Sequence, residues 1–247
     1  MNIILIGYGR MGKEVERLAL ERGMTVLAKV NTKTGLPKEA LDAADVLIHF
    51  ATPETLLRHI NQARDAKKNI VIGTTGWQNE FQTVRSLIVS AGIGMVYASN
   101  FSVSIAIFNE LVKHAGRLFN GLNQYDAAIH EIHHKDKMDA PSGTALTLAH
   151  TLMETFRRKK HVLAGNPSGK IKPEQLHVTS TRTGAVVGTH RVTFDSTADS
   201  IELTHEAKNR SAFAFGALLA AEWIKGKQGV FTFDDVIAET LKLNKGS

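Results

Sequence analysis

The sequence predicts an α/β protein in two parts: a doubly wound parallel sheet, then an α+β segment whose sheet is mixed or antiparallel. Three observations carry this. Short apolar runs alternate with helix-period segments over the first hundred residues, a glycine-rich turn joins the first strand to the first helix, and beyond Pro173 the pattern becomes alternating strands joined by short turns. With 247 residues, 43% of them hydrophobic, the chain can build the cores of two modest domains.

Composition narrows the function classes. Cysteine is absent, which removes a disulfide framework, a thiol nucleophile and a cysteine metal site. The formal charge of +6 is scattered. Its one dense run, Arg157-Arg158-Lys159-Lys160, reads as a solvated helix end where cations complement the dipole. Aromatics make up 6% and do not interleave with basic residues, so no nucleic-acid partner is expected. No apolar run approaches the ~20 residues that span a bilayer, and the chain opens directly on a strand; a cytoplasmic protein without a membrane partner is expected. The surplus positive charge suits a small anionic ligand.

In chain order, residues 2–6 form an apolar strand, and Gly7-Tyr8-Gly9-Arg10-Met11-Gly12 follows, then a helix marked by Val15, Leu18 and Ala19 that stops at Gly23. This is G-x-G-x-x-G between a strand and a helix. The glycines permit a tight turn, the close approach of a pyrophosphate and close helix packing, so a Rossmann-type site for NADPH or NADH is predicted over Gly7 to Gly12. The acidic residue that usually holds the adenosine ribose is missing after the second strand, 25–30, where Val30-Asn31-Thr32-Lys33 stands. Asn31 can bond a ribose hydroxyl, and Lys33, with Lys29, can pair with a 2′-phosphate; an exposed strand end would carry the same lysines.

Strands at 46–50, 69–72 and 95–98 then alternate with helices at about 52–67 and 78–91. Ligands of such sheets sit outside the carboxyl ends of the strands. The segments there are Ala51-Thr52-Pro53, Gly73-Thr74-Thr75-Gly76 and Ala98-Ser99-Asn100-Phe101, whose small and hydroxyl residues let backbone approach a cofactor. Turn chemistry alone also uses these residue types.

A helix at 105–119 leads to the densest group of ionisable residues in the chain, His130 to Leu146. Its first half reads as a strand, with His133 and Lys137 on one face. Its second half, Asp139-Ala140-Pro141-Ser142-Gly143-Thr144, offers two side-chain caps and a proline for a first helical turn, ahead of an apolar run. Free backbone N–H groups there would hold a carboxylate or phosphate while His or Lys protonates the bound molecule. A basic strand end beside an ordinary capped helix is the plain alternative.

His130-Glu131-Ile132-His133-His134 also spells the zinc motif H-E-x-x-H, with Glu154 downstream as a third ligand. That motif needs a helix, and this segment reads as a strand followed closely by Pro141 and Gly143; no metal is expected. The helix continues to about 160, a loop covers 165–173, and strands follow at 176–182, 185–194 and 200–206. A helix at 211–225 and the tail at 231–243 return to the nucleotide part. The domains expected are 1–103 plus 211–247 for dinucleotide binding, and 104–210 for substrate binding and oligomerisation.

The run Glu131 to Ala145 resembles the signature of the bacterial dihydrodipicolinate reductase family, now called 4-hydroxy-tetrahydrodipicolinate reductase. The likeness extends over the whole chain through the N-terminal glycine loop, Gly73-Thr74-Thr75-Gly76, Ala98-Ser99-Asn100-Phe101-Ser102, and Arg182-Thr183-Gly184 to Gly188-Thr189-His190. The resemblance implies reduction of a cyclic imine dicarboxylate by NADH or NADPH in lysine and diaminopimelate biosynthesis, in a homotetramer joined through the sheets of the second domain. It also implies His133 as proton donor or acceptor, Lys137 as a second proton donor, His134 as a substrate ligand, and Gly143-Thr144, with Ser142 before them, as the substrate-carboxylate clamp. A regulator that senses a nucleotide without catalysis would explain the first half but leave His133, His134 and Lys137 idle.

Overall fold

The computed structural model describes residues 1–31 and 35–242. Its elements run β1 (Asn2–Ile6), α1 (Arg10–Glu21), β2 (Thr25–Val30), α2 (Lys38–Ala43), β3 (Val46–His49), α3 (Leu56–Asp65), β4 (Asn69–Ile72), α4 (Phe81–Ala91) and β5 (Gly94–Tyr97). Then come α5 (Val103–Asn120), β6 (Asp126–His133), α6 (Gly143–Thr155), β7 (His161–Ala164), β8 (Gln175–Arg182), β9 (Gly188–Asp195) and β10 (Ser200–Ala207). The chain closes with α7 (Ser211–Ile224), β11 (Gly229–Thr232) and α8 (Phe233–Thr240). No helix of the described residues is long and apolar enough to cross a membrane.

The chain divides into two compact units, Met1–Val103 with Arg210–Ser247, and Ser104–Asn209. In the first, six strands lie in the order β11-β5-β4-β3-β1-β2, every neighbouring pair parallel. β1, β3 and β4 are almost wholly buried apolar runs, which is what a sheet covered on both faces requires. α3 and α4 pack together, while α1 packs against α7, which also lies on β3, β4 and β5. The small residues of α7 allow this depth: a Cβ on Gly216 would stand 1.8 Å from the Phe101 carbonyl oxygen. Chain order reverses between β1 and β3, so the carboxyl ends of those two strands flank the switch point where α/β sheets take their ligands.

The second unit has a mixed sheet, β10-β9-β6-β8-β7. β6 is parallel to β8 and β8 to β7, whereas β9 runs antiparallel to both β6 and β10. Alternate residues of β6, β8 and β9, among them Ala127, Ile129, Leu176, Val178, Val192 and Phe194, form one core with the apolar stripes of α5 and α6.

Several boundaries differ from the periodicity. α2, β7 and β11 are four to six residues long, too short to leave a periodic signal. α6 ends at Thr155, so the basic run 157–160 lies beyond the helix instead of forming its solvated end. Arg158 lies over the Phe156 ring at 4.4 Å and donates to the carbonyls of Leu122, Asn123 and Tyr125. Lys159 is 2% exposed; it donates to the Gln175 carbonyl at 2.8 Å and pairs with Asp126 at 2.5 Å. The run is structural, closing the loop ahead of β6 onto the chain after α6.

Candidate active site

The first unit brings the expected cofactor residues to one edge. Gly7, Tyr8, Gly9, Arg10, Met11 and Gly12 follow β1, Asn31 follows β2, Gly73, Thr74 and Thr75 follow β4, and Ala98, Ser99 and Asn100 follow β5. All these strands are parallel, so all these segments leave the sheet at its carboxyl edge. Lys33 lies outside the described residues.

Each glycine of the first turn has a distinct steric setting. Gly7 has φ +93°, and a Cβ there would stand 2.4 Å from the Ala51 nitrogen, because the turns after β1 and β3 are pressed together. A Cβ on Gly12 would meet the Gly7 carbonyl oxygen at 2.2 Å. On Gly9 it would meet nothing within 4 Å. Gly9 is also the N-cap of α1, with no side-chain cap and no acidic residue in the first turn. An uncapped helix start beside an open glycine is what a pyrophosphate needs, so these residues fit a dinucleotide.

Three of the expected groups are already engaged. The Tyr8 hydroxyl donates to Glu16, and Lys29 pairs with Glu16 at 2.9 Å and lies over the Tyr8 ring. Thr74 is buried and part of a directional chain. Its hydroxyl donates to the Ala51 carbonyl at 2.9 Å, so it accepts from His49 Nδ1 at 2.7 Å. His49 Nε2 then accepts from His59 Nδ1 at 3.1 Å, and His59 Nε2 accepts from Arg58 at 3.4 Å. Burial pushes His49 down to about 3 and His59 down to about 4, so both imidazoles are neutral at pH 7. This pair, which pins the turn after β4 to the turn after β3, went unremarked in the sequence.

In the second unit the focus is β6. Its side chains alternate, with Ala127, Ile129, Glu131 and His133 facing the core. Glu131 is fully buried, and it accepts from His133 Nδ1, from Arg182 Nη2 at 2.7 Å and, with longer geometry, from the Ser142 backbone at 3.3 Å. Burial alone would raise the Glu131 carboxyl, but the hydrogen bonds from Arg182 and His133 outweigh it and hold it at about 2. Burial lowers His133 below 6.5; Glu131 opposes that shift, while the charges of Lys137 and Arg182 add to it. His190, opposite Glu131 in the β6–β9 register, sits edge-on to the His133 ring at 5.2 Å and is pushed by burial to about 4.

Lys137 reaches this site by a route that differs from the strand-face expectation. β6 ends at His133, and Lys137 lies in the turn beyond it, its amide bonded to the His134 carbonyl at 3.1 Å. Arg182 holds that turn, donating to the Asp139 carbonyl at 2.6 Å and the Lys137 carbonyl at 3.3 Å. Lys137 Nζ pairs with Asp139 at 2.6 Å, which holds the Asp139 carboxyl below its usual range. His134 is the first residue past the strand and half-buried.

Ser142, Gly143 and Thr144 open α6. Ser142 is its N-cap, the hydroxyl accepting from the Ala145 amide at 3.2 Å, an arrangement worth about 1 kcal/mol. Pro141 precedes the cap and is not in the first turn. Ser142 Oγ also lies 3.3 Å from His190 Nε2. The start of α6 is thereby fastened to Glu131 and His190.

The zinc spelling does not survive this geometry. His130 and His134 are not on a helical turn, and His130 Nδ1 is bonded to Thr179 at 2.7 Å on the other face of the strand from Glu131. Glu131, His133 and His190 do place ligand-type atoms within 4.8 Å of one another. Arg182 on Glu131 and the nearby charge of Lys137 make that spot hostile to a dication.

A glycine turn at the switch point of a parallel sheet, joined to a unit offering a histidine, a lysine and a capped helix start, defines a Rossmann-type, nicotinamide-dependent oxidoreductase. The family model "Dihydrodipicolinate reductase, N-terminus" matches residues 1–101, and "Dihydrodipicolinate reductase, C-terminus" matches residues 104–237. The chain belongs to the dihydrodipicolinate reductase family. It is 36% identical over 242 residues to 4-hydroxy-tetrahydrodipicolinate reductase of Christiangramia forsetii, covering 98% of this chain and 100% of the relative. It is 38% identical over 204 residues to that of Chromobacterium violaceum, covering 80% and 75%. In fold it is similar to a dipicolinate-bound dihydrodipicolinate reductase from Paenisporosarcina sp. TG-14, with a TM-score of 0.75, 21% identity, and coverage of 95% and 98%.

Arg182, His190 and Gly188, whose Cβ position lies 2.9 Å from His133 Nε2, are site residues to which sequence reasoning gave no role in the chemistry, and Glu131 entered only through the zinc motif. The period-two alternation of β6 was the available signal: it puts Glu131 and His133 on the core face, and a buried carboxylate beside a buried histidine demands partners.

Proposed function

We propose that the chain reduces 4-hydroxy-tetrahydrodipicolinate to tetrahydrodipicolinate with a nicotinamide cofactor. The observation that carries the reading is the meeting of His133 and the N-terminus of α6 on one buried carboxylate, Glu131, whose partner Arg182 also holds the turn that carries Lys137, in a chain related over its full length to reductases of that name. When bound, the nicotinamide would supply a hydride, two electrons and one hydrogen nucleus; the 4-hydroxyl leaves as water together with a ring hydrogen, and the unsaturated ring so formed takes the hydride and one proton.

The residues of the chain supply what remains. Gly7, Gly9 and Gly12 with the start of α1 hold the pyrophosphate, and the segments at 73–75 and 98–100 line the rest of the dinucleotide. Ser142, Gly143 and Thr144 hold a substrate carboxylate, and His134 orients the ring. Cationic His133, its Nδ1–H fixed on Glu131, offers the Nε2 proton, while the Lys137 ammonium offsets negative charge and serves as the second donor. Asp139, which pairs with Lys137, is then exchanged for the anionic substrate.

NADPH and NADH are both accepted in this reading, with Asn31 and Lys33 as the groups that meet the adenosine ribose. The protein works in the cytoplasm as a homotetramer built on the sheet of the second unit. Support comes from β10, an edge strand whose Ile201 is 49% exposed, a surface that a second copy would cover. The test is oxidation of each nucleotide followed by absorbance, with dihydrodipicolinate synthase generating the substrate in the same cuvette. Consumption that requires the coupled product supports the reading; none from folded protein that still binds nucleotide sinks it, and light scattering reads the tetramer.

A further inference from the structure

Glu131, Arg182 and His190 bear on His133 without being assigned any contact with substrate in the reading above. Of these Glu131 and Arg182 stand out, because each reaches a different acid–base residue. Glu131 accepts from His133 Nδ1 with one oxygen and from Arg182 Nη2 with the other. Arg182 donates onward to the carbonyls of Asp139 and Lys137, and it is the register partner of His133 across the β6–β8 ladder. We propose that the Glu131–Arg182 ion pair is a positioning device for the reaction: Glu131 sets the ring orientation and tautomer of His133, and Arg182 sets the turn that carries Lys137.

The chemistry of the donors fixes the tautomer. An ionised carboxylate only accepts, so the His133 nitrogen facing it must carry the proton, and neutral His133 keeps its lone pair on Nε2. A cation formed at Nε2 is then stabilised by a carboxylate that cannot leave, because Arg182 and the Ser142 amide hold it. Arg182 suits its part because a rigid guanidinium donates in several directions at once; a lysine ammonium in its place does not span the same acceptors. The groups that bear on the His133 ring are Glu131 from β6, Lys137 from the following turn, Arg182 from β8 and His190 from β9.

The inference rests on the reading that His133 and Lys137 act on substrate, and the test separates the two. In Glu131→Gln, Arg182 claims the amide oxygen, so the NH2 group faces His133 and requires an acceptor there; the proton moves to Nε2. Nitrogen-15 NMR of labelled protein should read Nδ1–H at His133 in the wild type and Nε2–H in the variant. An unchanged tautomer overturns the proposal whatever the kinetics. kcat should fall by about 10²-fold with KM changed less than about threefold. In a His133→Ala background the same substitution should change kcat by less than about threefold; an equal loss in both backgrounds means that Glu131 does not act through His133 and overturns the proposal. If His133→Ala alone keeps wild-type kcat, the reading of His133 is what fails, and the NMR result still decides what Glu131 does. Should Glu131→Gln not fold, Arg182→Lys carries the test: a loss of about tenfold or more in kcat that disappears in Lys137→Ala supports the device, and a loss that persists there overturns it.

Discussion

Gly188→Ala should separate activity from stability. Gly188 begins β9, and a Cβ there would stand 2.9 Å from His133 Nε2, 3.3 Å from Cδ2 and 3.7 Å from Cε1. Ordinary contact is at about 3.5 Å, so the ring must retreat by roughly 0.6 Å. Glu131 holds its other nitrogen, so the retreat is a tilt of Nε2. A misplacement of about 1 Å costs on the order of 10²-fold in rate, which makes a loss of about tenfold in kcat the expected outcome here. The stability cost is bounded. Gly188 is not in the left-handed region, so alanine fits the backbone and restricts the unfolded chain, a gain of about 0.4–1 kcal/mol, against a repacking cost of about 1–3 kcal/mol. The melting temperature should therefore drop by at most about 10 °C, which leaves the variant folded at assay temperature. Coupled-assay kinetics and a thermal melt on one preparation read both quantities. Wild-type kcat in a folded variant would mean that the Nε2 side of His133 is not where chemistry occurs.

Lys137→Ala should depress kcat by about 10²-fold or more, whereas His134→Ala should mainly raise KM; initial rates against substrate concentration distinguish them, and the reverse pattern exchanges the two roles. kcat/KM should decline as pH rises through the free-enzyme value of His133, which lies below 6.5; a rise over that range would make His133 the acceptor instead of the donor. Gly9→Ala should leave the melting temperature near wild type, because its Cβ meets nothing in the chain, yet weaken NADPH binding in a fluorescence titration by about tenfold, since the methyl occupies the approach to the pyrophosphate. Folding stability should be full above pH 6.5 and fall as the pH drops toward 4, because His49, His59 and His190 have depressed values in the folded protein and bind protons first in the unfolded chain. Roughly three protons should be taken up on unfolding near pH 5.5, read from the pH dependence of urea unfolding, and a flat profile between pH 7 and 5 would contradict it. Activity should survive a strong chelator, because the H-E-x-x-H letters lie on a strand and the turn after it, not on a helix; loss restored by zinc would revive the metal reading.

The parallel sheet was legible because β1, β3 and β4 are nearly unbroken apolar runs and its first turn is punctuated by Gly7, Gly9 and Gly12, each with a separate steric reason. α2, β7 and β11 were not, being too short for their pattern to repeat enough to stand out. The strand character of β6 was legible, and with it the failure of the zinc motif. Where β6 stopped was not: Lys137 approaches His133 through a turn held by Arg182, a residue 45 positions later, and no spacing rule reaches that far. The basic run at 157–160 misled because composition does not reveal that Lys159 is buried on Asp126 and the Gln175 carbonyl. His49 and His59 were passed over for the same reason, since a histidine inside an apolar strand gives no sign of its partner on the next helix.

The central claim is that hydride reaches the substrate ring from a nucleotide held by the first unit. It is tested most directly with NADPH deuterated at C4, the two epimers used separately, in the synthase-coupled reaction read by mass spectrometry. The account predicts that one epimer delivers a single deuterium to tetrahydrodipicolinate and the other delivers none. Product formed without label from either epimer, or label recovered only in water, would contradict it.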